Sequence, residues 1–264
     1  MKNQTRKKTT KNRITIKLGL IASGVIVLIA AFVLGLYFTS KSLFSGNKHF
    51  ILHNVVVKYG GWWKDHPEKV NSILGLKENE TNLFEINLKK KREILESQPS
   101  IEKATISRVL PDIIEIGIVE RIPVAFLHFV HNKLLVDQSA KVMDAESCIE
   151  VGDSLPVITG FTSQEGDLTP GNQLNQIKPA LSLMKMMKRS VANIVILRIN
   201  ISNSDFYRCD IYVPKFKKKY LLYLSHERVE NKLYVLNTLL NEDSLPKPGA
   251  KIIDLRNDGQ AVLK

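Results

Sequence analysis

Residues 18–40 run for 23 positions without a charge, and the 17 residues before them carry Lys2, Arg6, Lys7, Lys8, Lys11, Arg13 and Lys17 with no acid. A helix rises about 1.5 Å per residue and satisfies its own backbone groups, so a run of this length covers the roughly 30 Å hydrocarbon core of a bilayer. Leu18, Ile21, Val25, Leu28, Phe32, Leu36 and Phe38 are the expected lipid-facing anchor, with Tyr37 and Phe38 suited to the outer interface. Only Lys41 and Lys48 stand near the other end, so the positive-inside bias predicts a cytoplasmic N-terminus and a single-pass type II protein exposed beyond the membrane. A cleavable signal peptide is the competing reading. The run exceeds the usual apolar core of a signal, and Val33, Leu34 and Leu36 are bulky where a cleavage site needs small residues.

The formal net charge of +12 resembles a nucleic-acid signature until it is divided: seven of those charges lie in the tail and are explained by topology. No nucleic-acid partner is required. Cys148 and Cys209 have two readings, one disulfide in an oxidising exported space, or, for Cys209, which alternates with Ile211 and Val213, a core-facing thiol.

Beyond a polar connector at 42–48, residues 50–59 read as a strand ending at Gly60-Gly61. A short helix follows, with Asp65 and Glu68 as a capping pair, Pro67 in its first turn and Gly75 at its end. Asn87 caps a second helix at 88–98, stopped by Pro99. Strands at 101–109 and 113–120 flank the turn Leu110-Pro111-Asp112, giving the order β-α-α-β-β. Such a unit packs its helices on one face of a three-stranded sheet. Glu120-Arg121-Ile122-Pro123 marks a boundary, since proline cannot donate to a central ladder. Beyond it the pattern predicts strands at 125–129, 133–136, 141–143 and 155–158, a polar loop at 160–171 and a helix at 173–189. Strands at 194–201, 207–213 and 219–224, a helix at 227–240 and strands at 251–255 and 261–263 complete the chain.

Catalysis needs a nucleophile beside a base, paired carboxylates or clustered metal ligands, and none appears at useful spacing. His128 and His131 are three apart in a strand pattern, which puts them on opposite faces. The expectation is no enzyme, no cofactor, no metal and no small-molecule substrate. Lys215, Lys217, Lys218 and Lys219 read as a solvated hairpin end rather than a site for anionic polymer or lipid heads. Trp62-Trp63 either covers the small core or rests at the membrane surface.

Several stretches carry a resemblance. Asn82-Leu83-Phe84-Glu85-Ile86, Gln98-Pro99-Ser100-Ile101-Glu102-Lys103-Ala104, Arg108-Val109-Leu110-Pro111 and above all Val119-Glu120-Arg121-Ile122-Pro123-Val124-Ala125 resemble the POTRA unit and domain junction of the bacterial division family FtsQ/DivIB. Leu135-Val136-Asp137, Leu155-Pro156-Val157-Ile158-Thr159-Gly160 and Ile253-Asp254-Leu255-Arg256 follow in that family's order. Two departures stand out: Ser139-Ala140 where relatives turn on a glycine, and Asn257 where an aromatic is common. The resemblance implies an α+β chain with a cytoplasmic tail at 1–17, a transmembrane helix at 18–40, a POTRA domain at 48–121 and a larger mixed β domain with two helices at 122–264. It further implies a non-catalytic scaffold in the cytoplasmic membrane at the division septum. Its implied partners are FtsB- and FtsL-like single-pass coiled-coil proteins, other divisome components and membrane lipid, linking early division proteins to septal wall synthesis. A membrane-anchored POTRA chaperone or assembly module is the alternative.

Residues 251–255, the Asp258-Gly259 turn and the last five residues form an expected closing hairpin, whose final strand would be a sheet edge. Ile252, Asp254, Arg256, Asn257, Gly259, Gln260, Ala261, Val262 and Leu263 are the expected partner-binding residues. The partner would add as a strand, with Arg256 and Lys264 pairing its acids.

Overall fold

The computed structural model describes residues 23–127, 134–148, 155–162, 165–241 and 249–264. It is mixed α/β, with one N-terminal apolar helix, a three-stranded sheet and a nine-stranded sheet. By contacts the chain divides into two compact units, Met1–Val56 with Gly75–Leu88 and Ser107–Glu115, and Val57–Leu74 with Lys89–Ile106 and Ile116–Lys264.

In the first unit, helix α1 (Ser23–Ser45) is apolar and unburied throughout its most hydrophobic stretch. Val25, Leu28, Phe32, Leu36 and Phe38 are exposed on it, whereas Leu18 and Ile21 lie outside the described residues. The connector expected at 42–48 is not a loose linker. The helix continues through a wider last turn, Lys41–Ser45, closed by the Gly46 N–H on the Lys41 carbonyl at 3.0 Å. The buried Asn82 then donates its amide to the carbonyls of Phe44 and Asn47, both at 3.1 Å, tying the end of the helix to the chain around residue 82. Phe84 packs 4.9 Å from both Phe44 and Phe50 by ring centroids. Arg108 clamps the same segment, donating to the carbonyls of Leu83 and Ile86 at 2.7 Å each. Strand β1 (Asn54–Tyr59) starts later than expected because residues 50–52 are already committed to the 79–83 segment: Leu52 donates to Thr81 and Leu83 to Phe50, at 2.8 Å each.

In the second unit the single helix expected after Gly60 is two. Helix α2 (Gly61–Asp65) is separated by His66 from helix α3 (Pro67–Leu74), so Asp65 ends one helix instead of capping the other. Gly60 sits at φ +121 with the position of a Cβ only 3.0 Å from the Ile118 carbonyl, so both conformation and space require glycine. The two tryptophans split between roles. Trp63 is buried, its indole N–H donating to Ser100 Oγ at 3.1 Å and its backbone N–H to Glu120 Oε1 at 2.8 Å. Trp62 stacks on His66 at 4.2 Å with the Lys69 ammonium 4.4 Å from its centroid. Helix α4 (Leu88–Glu96) stops short of Gln98, whose N–H turns back to the Leu95 carbonyl. Strands β2 (Ile101–Val109) and β3 (Ile113–Glu120) have the expected bounds, and the small sheet runs β1-β3-β2.

The large sheet comprises β4 (Pro123–Leu127), β5 (Leu134–Asp137), β6 (Val142–Asp144), β7 (Val157–Thr159), β8 (Val195–Asn200), β9 (Phe206–Val213), β10 (Lys218–Ser225), β11 (Ile252–Leu255) and β12 (Val262–Leu263). Its order is β12-β11-β10-β9-β8-β7-β4-β5-β6. Helix α5 (Lys178–Ser190) joins the parallel pair β7 and β8, and α6 (Val229–Asn241) joins the parallel pair β10 and β11. Parallel neighbours need such crossovers, and both helices share one core with the sheet. The period-2 pattern is plain in β9 and β10, where Tyr207, Cys209, Ile211, Val213, Tyr220, Leu222 and Leu224 are buried. Helix α5 begins after a short turn, Asn175–Ile177, and carries its proline in the first turn. Helix α6 begins at Val229 because Arg228 has φ +50, which no right-handed helix accepts. His128 and His131 fall outside the described residues.

Pro123 opens β4 rather than ending an element, beside a register shift between Pro123 and Ala125, a position where proline's missing donor is tolerated. The preceding Glu120-Arg121 is not an exposed ion pair. Glu120 accepts from Trp63, while Arg121 donates to Asp137 Oδ2 at 2.8 Å with both side chains largely buried. The other Asp137 oxygen accepts from the Ser139 N–H (2.9 Å), the Ser139 hydroxyl (2.7 Å) and the Lys141 N–H (2.8 Å). These bonds bracket Ala140, which sits at φ +69 where an alanine costs about 1–2 kcal/mol. Burial alone would raise the Asp137 carboxyl, but Ser139, Lys141 and Arg121 together hold it below its ordinary value.

Asp137→Ala is expected to destabilise the full chain by about 2–4 kcal/mol, because it strips the brace from a strained turn and leaves Arg121 buried without its acid. Denaturant unfolding followed by tryptophan fluorescence checks this; a loss within 0.5 kcal/mol, estimated as the usual surface effect, contradicts it.

Candidate functional site

Strand β12 is the outermost strand of the large sheet. It pairs antiparallel with β11 through Ile253 opposite Leu263 and Asp254 opposite Val262. Ile252 and Lys264 exchange both hydrogen bonds, N–H to carbonyl at 2.9 and 3.1 Å. In an antiparallel ladder such pairs recur every second residue, so Asp254 and Val262 form the next one. The N–H and C=O groups of Val262 and Lys264 therefore point inward to β11. Those of Ala261 and Leu263 point away from the sheet, and no strand covers them among the described residues. Both side chains pack against the core, which holds this strand in place.

Beside the edge lies a charged and aromatic cluster. Asp254 is buried and takes a two-pronged bond from Arg256, Nε to Oδ1 at 2.9 Å and a terminal nitrogen to Oδ2 at 2.7 Å. The guanidinium carbon lies 5.1 Å from the Phe206 ring centroid and 5.2 Å from that of Tyr223, within cation–π range. Lys264 Nζ stands 3.9 Å from Asp254 Oδ2. Both basic side chains thus already face an acid of their own chain. Arg256 remains 43% exposed, so its outer surface is still available for contact.

The hairpin turn is tied to the rest of the unit. Asp258 accepts from Lys232 Nζ at 2.9 Å and from Arg228 at 3.0 Å, and Lys232 itself is buried on α6 and donates to the Glu227 carbonyl. Gly259 takes φ +69 in the turn, while Asn257 and Gln260 are exposed beside it. Hydrogen bonding by Arg256 holds the Asp254 carboxyl below its ordinary value, and hydrogen bonding by Lys232 does the same for Asp258.

Sequence reasoning located the hairpin but missed Phe206, Tyr223 and Lys232. Phe206 is opposite Ser225, which makes Phe206 and Tyr223 diagonal neighbours on adjacent strands, with centroids 5.5 Å apart. Their shared exposed phase in the two alternation patterns was the available signal. The cysteines are free and lie in different clusters, Cys209 in the main core and Cys148 with Leu135 and Met143, so the core reading replaces the disulfide. Burial pushes each thiol up to about 12, aided by Glu120 and Asp144 at Cys148 and by Asp210 at Cys209. In the lysine run, Lys215 reaches back to the Asn241 carbonyl at 3.1 Å at the end of α6, and Lys217 forms the tip of the turn at φ +51.

Since Asp254 titrates below its unfolded value, the stability it lends is fully present above the ordinary carboxylate range and is lost as pH falls through the depressed folded value. The thermal-stability difference between the wild type and Asp254→Asn is therefore expected to hold constant at neutral pH and to shrink only in strong acid. A difference that grows on acidification would contradict the pairing.

The family model of the FtsQ-type POTRA domain matches residues 66–121. The chain is similar to the Cell division protein FtsQ of Koribacter versatilis, 26% identical over 182 residues that cover 69% of this chain and 52% of that protein. It is also similar to the Cell division protein FtsQ of Syntrophotalea carbinolica, 37% identical over 108 residues covering 39% of this chain and 36% of that one. The chain thus spans about half the length, or less, of these curated relatives in the matched regions.

Proposed function

We propose that this chain, which belongs to the FtsQ/DivIB family of bacterial cell division proteins, is a non-catalytic scaffold that recruits its partners by strand addition at β12. FtsQ-type division proteins are in general non-enzymatic scaffolds that act through protein contacts. The finer reading is that an extended segment of an FtsB-like single-pass protein, itself joined to an FtsL-like one, lies along β12. It works at the division septum, with the N-terminus in the cytoplasm and the modules at 48–121 and 122–264 outside.

The outward-pointing backbone groups of Ala261 and Leu263 are the observation that carries this reading. Backbone pairing supplies affinity without regard to side chains, and selectivity falls to neighbours of the edge. Val262, at 37% exposure, and the Arg256, Phe206 and Tyr223 cluster offer an apolar and cationic surface for that purpose. A partner strand with an acid able to reach the outer side of Arg256 would match it.

Two proline substitutions separate the reading from simple unfolding. Ala261→Pro removes an outward donor and leaves the β11–β12 bonds intact; it is expected to weaken capture of the FtsB-like partner by the full chain at least about tenfold, with little change in thermal stability. Val262→Pro removes an inward donor and is expected to loosen the hairpin itself. Unchanged capture by Ala261→Pro, measured in detergent-solubilised full-length protein, rejects strand addition at this edge.

A further inference from the structure

At the outer end of α1 the first unit contains a cavity of about 340 Å³ lined by Tyr37, Ser40, Lys41, Phe44, Ser45 and Glu85. Two elements build it, the last turns of the apolar helix and the segment that follows Asn82. They are fixed to each other by the Asn82 bonds to the Phe44 and Asn47 carbonyls and by the packing of Phe84 on Phe44. Lys41 is the first charge after the apolar run. Neither its ammonium nor the Glu85 carboxylate has a hydrogen bond or ion pair with another side chain among the described residues, although both line one recess. A cation and an anion exposed in one cavity, without being paired, present complementary charges to a zwitterion.

We propose that this recess binds the headgroup of an aminophospholipid of the phosphatidylethanolamine class. The proposal rests on reading α1 as a bilayer span whose Lys41 end lies outside. A 23-residue helix is about 34 Å long, so that end reaches the headgroup layer. The lipid phosphate meets Lys41 and the Ser45 hydroxyl, while the primary ammonium donates to Glu85 and lies against the Phe44 and Tyr37 rings. Choline carries no N–H to donate to Glu85, and a glycerol headgroup brings only negative charge toward that carboxylate. The site therefore separates three common headgroups by chemistry, and the lipid it selects fastens the anchor at the point where the helix meets the folded chain.

The test uses the full chain reconstituted in nanodiscs containing equal phosphatidylethanolamine, phosphatidylglycerol and phosphatidylcholine, then transferred to mild detergent, with retained lipid counted by mass spectrometry. The wild type is expected to retain phosphatidylethanolamine about fivefold over either competitor, the scale of one partly exposed charge contact. Glu85→Gln is expected to abolish that preference and Lys41→Gln to remove retained lipid of all three classes, with circular dichroism unchanged. Equal retention of the three lipids by the wild type, or a preference that Glu85→Gln leaves intact, overturns the proposal. Vesicle flotation keeps the two readings apart: protein that floats without headgroup preference sinks the lipid site alone, whereas protein that fails to float sinks the membrane span.

Discussion

The exchange of two hydrogen bonds between Ile252 and Lys264 sets everything that β12 can do. A strand of two residues has almost no intrinsic stability, and a one-residue slip would reverse which of its groups face outward. The exchange fixes the register from its C-terminal end. Ala261 and Leu263 then pack their side chains on the core while their backbone groups point away from β11. The turn is held separately, by Asp258 on Lys232 and Arg228. Two tethers, one at each end of a very short strand, hold an edge that no strand covers among the described residues. Short edge strands also limit unwanted association, so the same brevity that makes β12 need tethers keeps it from recruiting arbitrary strands.

Much of this was legible in the chain. β2 and β3 could be bounded to the residue because both runs are rich in β-branched residues and a Leu-Pro-Asp turn separates them. The closing hairpin was visible from Asp258-Gly259 between two apolar runs. Less was legible where a local signal competed with a distant bond. Asp65 and Glu68 satisfy a capping pattern, yet Trp63 needs its backbone N–H on Glu120, 57 residues away, and this places α2 where the cap was expected. Arg228 at φ +50 has no sequence signature, and it moved the start of α6. The side-chain cluster at the edge needed the β9–β10 register before Phe206 and Tyr223 could be seen as neighbours.

Ala140 shows how an alanine is accommodated at a left-handed turn position. A left-handed turn after Asp137 suits glycine, and an alanine there adds strain but also a buried methyl. Asp137 offsets the strain with three bonds across the turn and a fourth to Arg121. The acid is thus shared between two tasks, holding the turn and anchoring the arginine that precedes Pro123. Its depressed titration follows from that sharing, since four donors outweigh the cost of burial.

Arg256 poses the opposite problem, a residue that looks committed and still has a surface to offer. Its fork is occupied by Asp254, so a partner gains no bidentate pair from it. What remains is a guanidinium whose position is locked by that acid and by two rings, and a locked cation costs a partner less entropy to engage than a free side chain. The residue after this arginine, Asn257, supplies only a small polar group at the edge. Phe206 and Tyr223 bring aromatic surface to the same arginine from neighbouring strands. The ring area lies on the sheet face and not on the turn, so under the proposed strand addition selectivity at this edge would depend on what the added strand projects over that face.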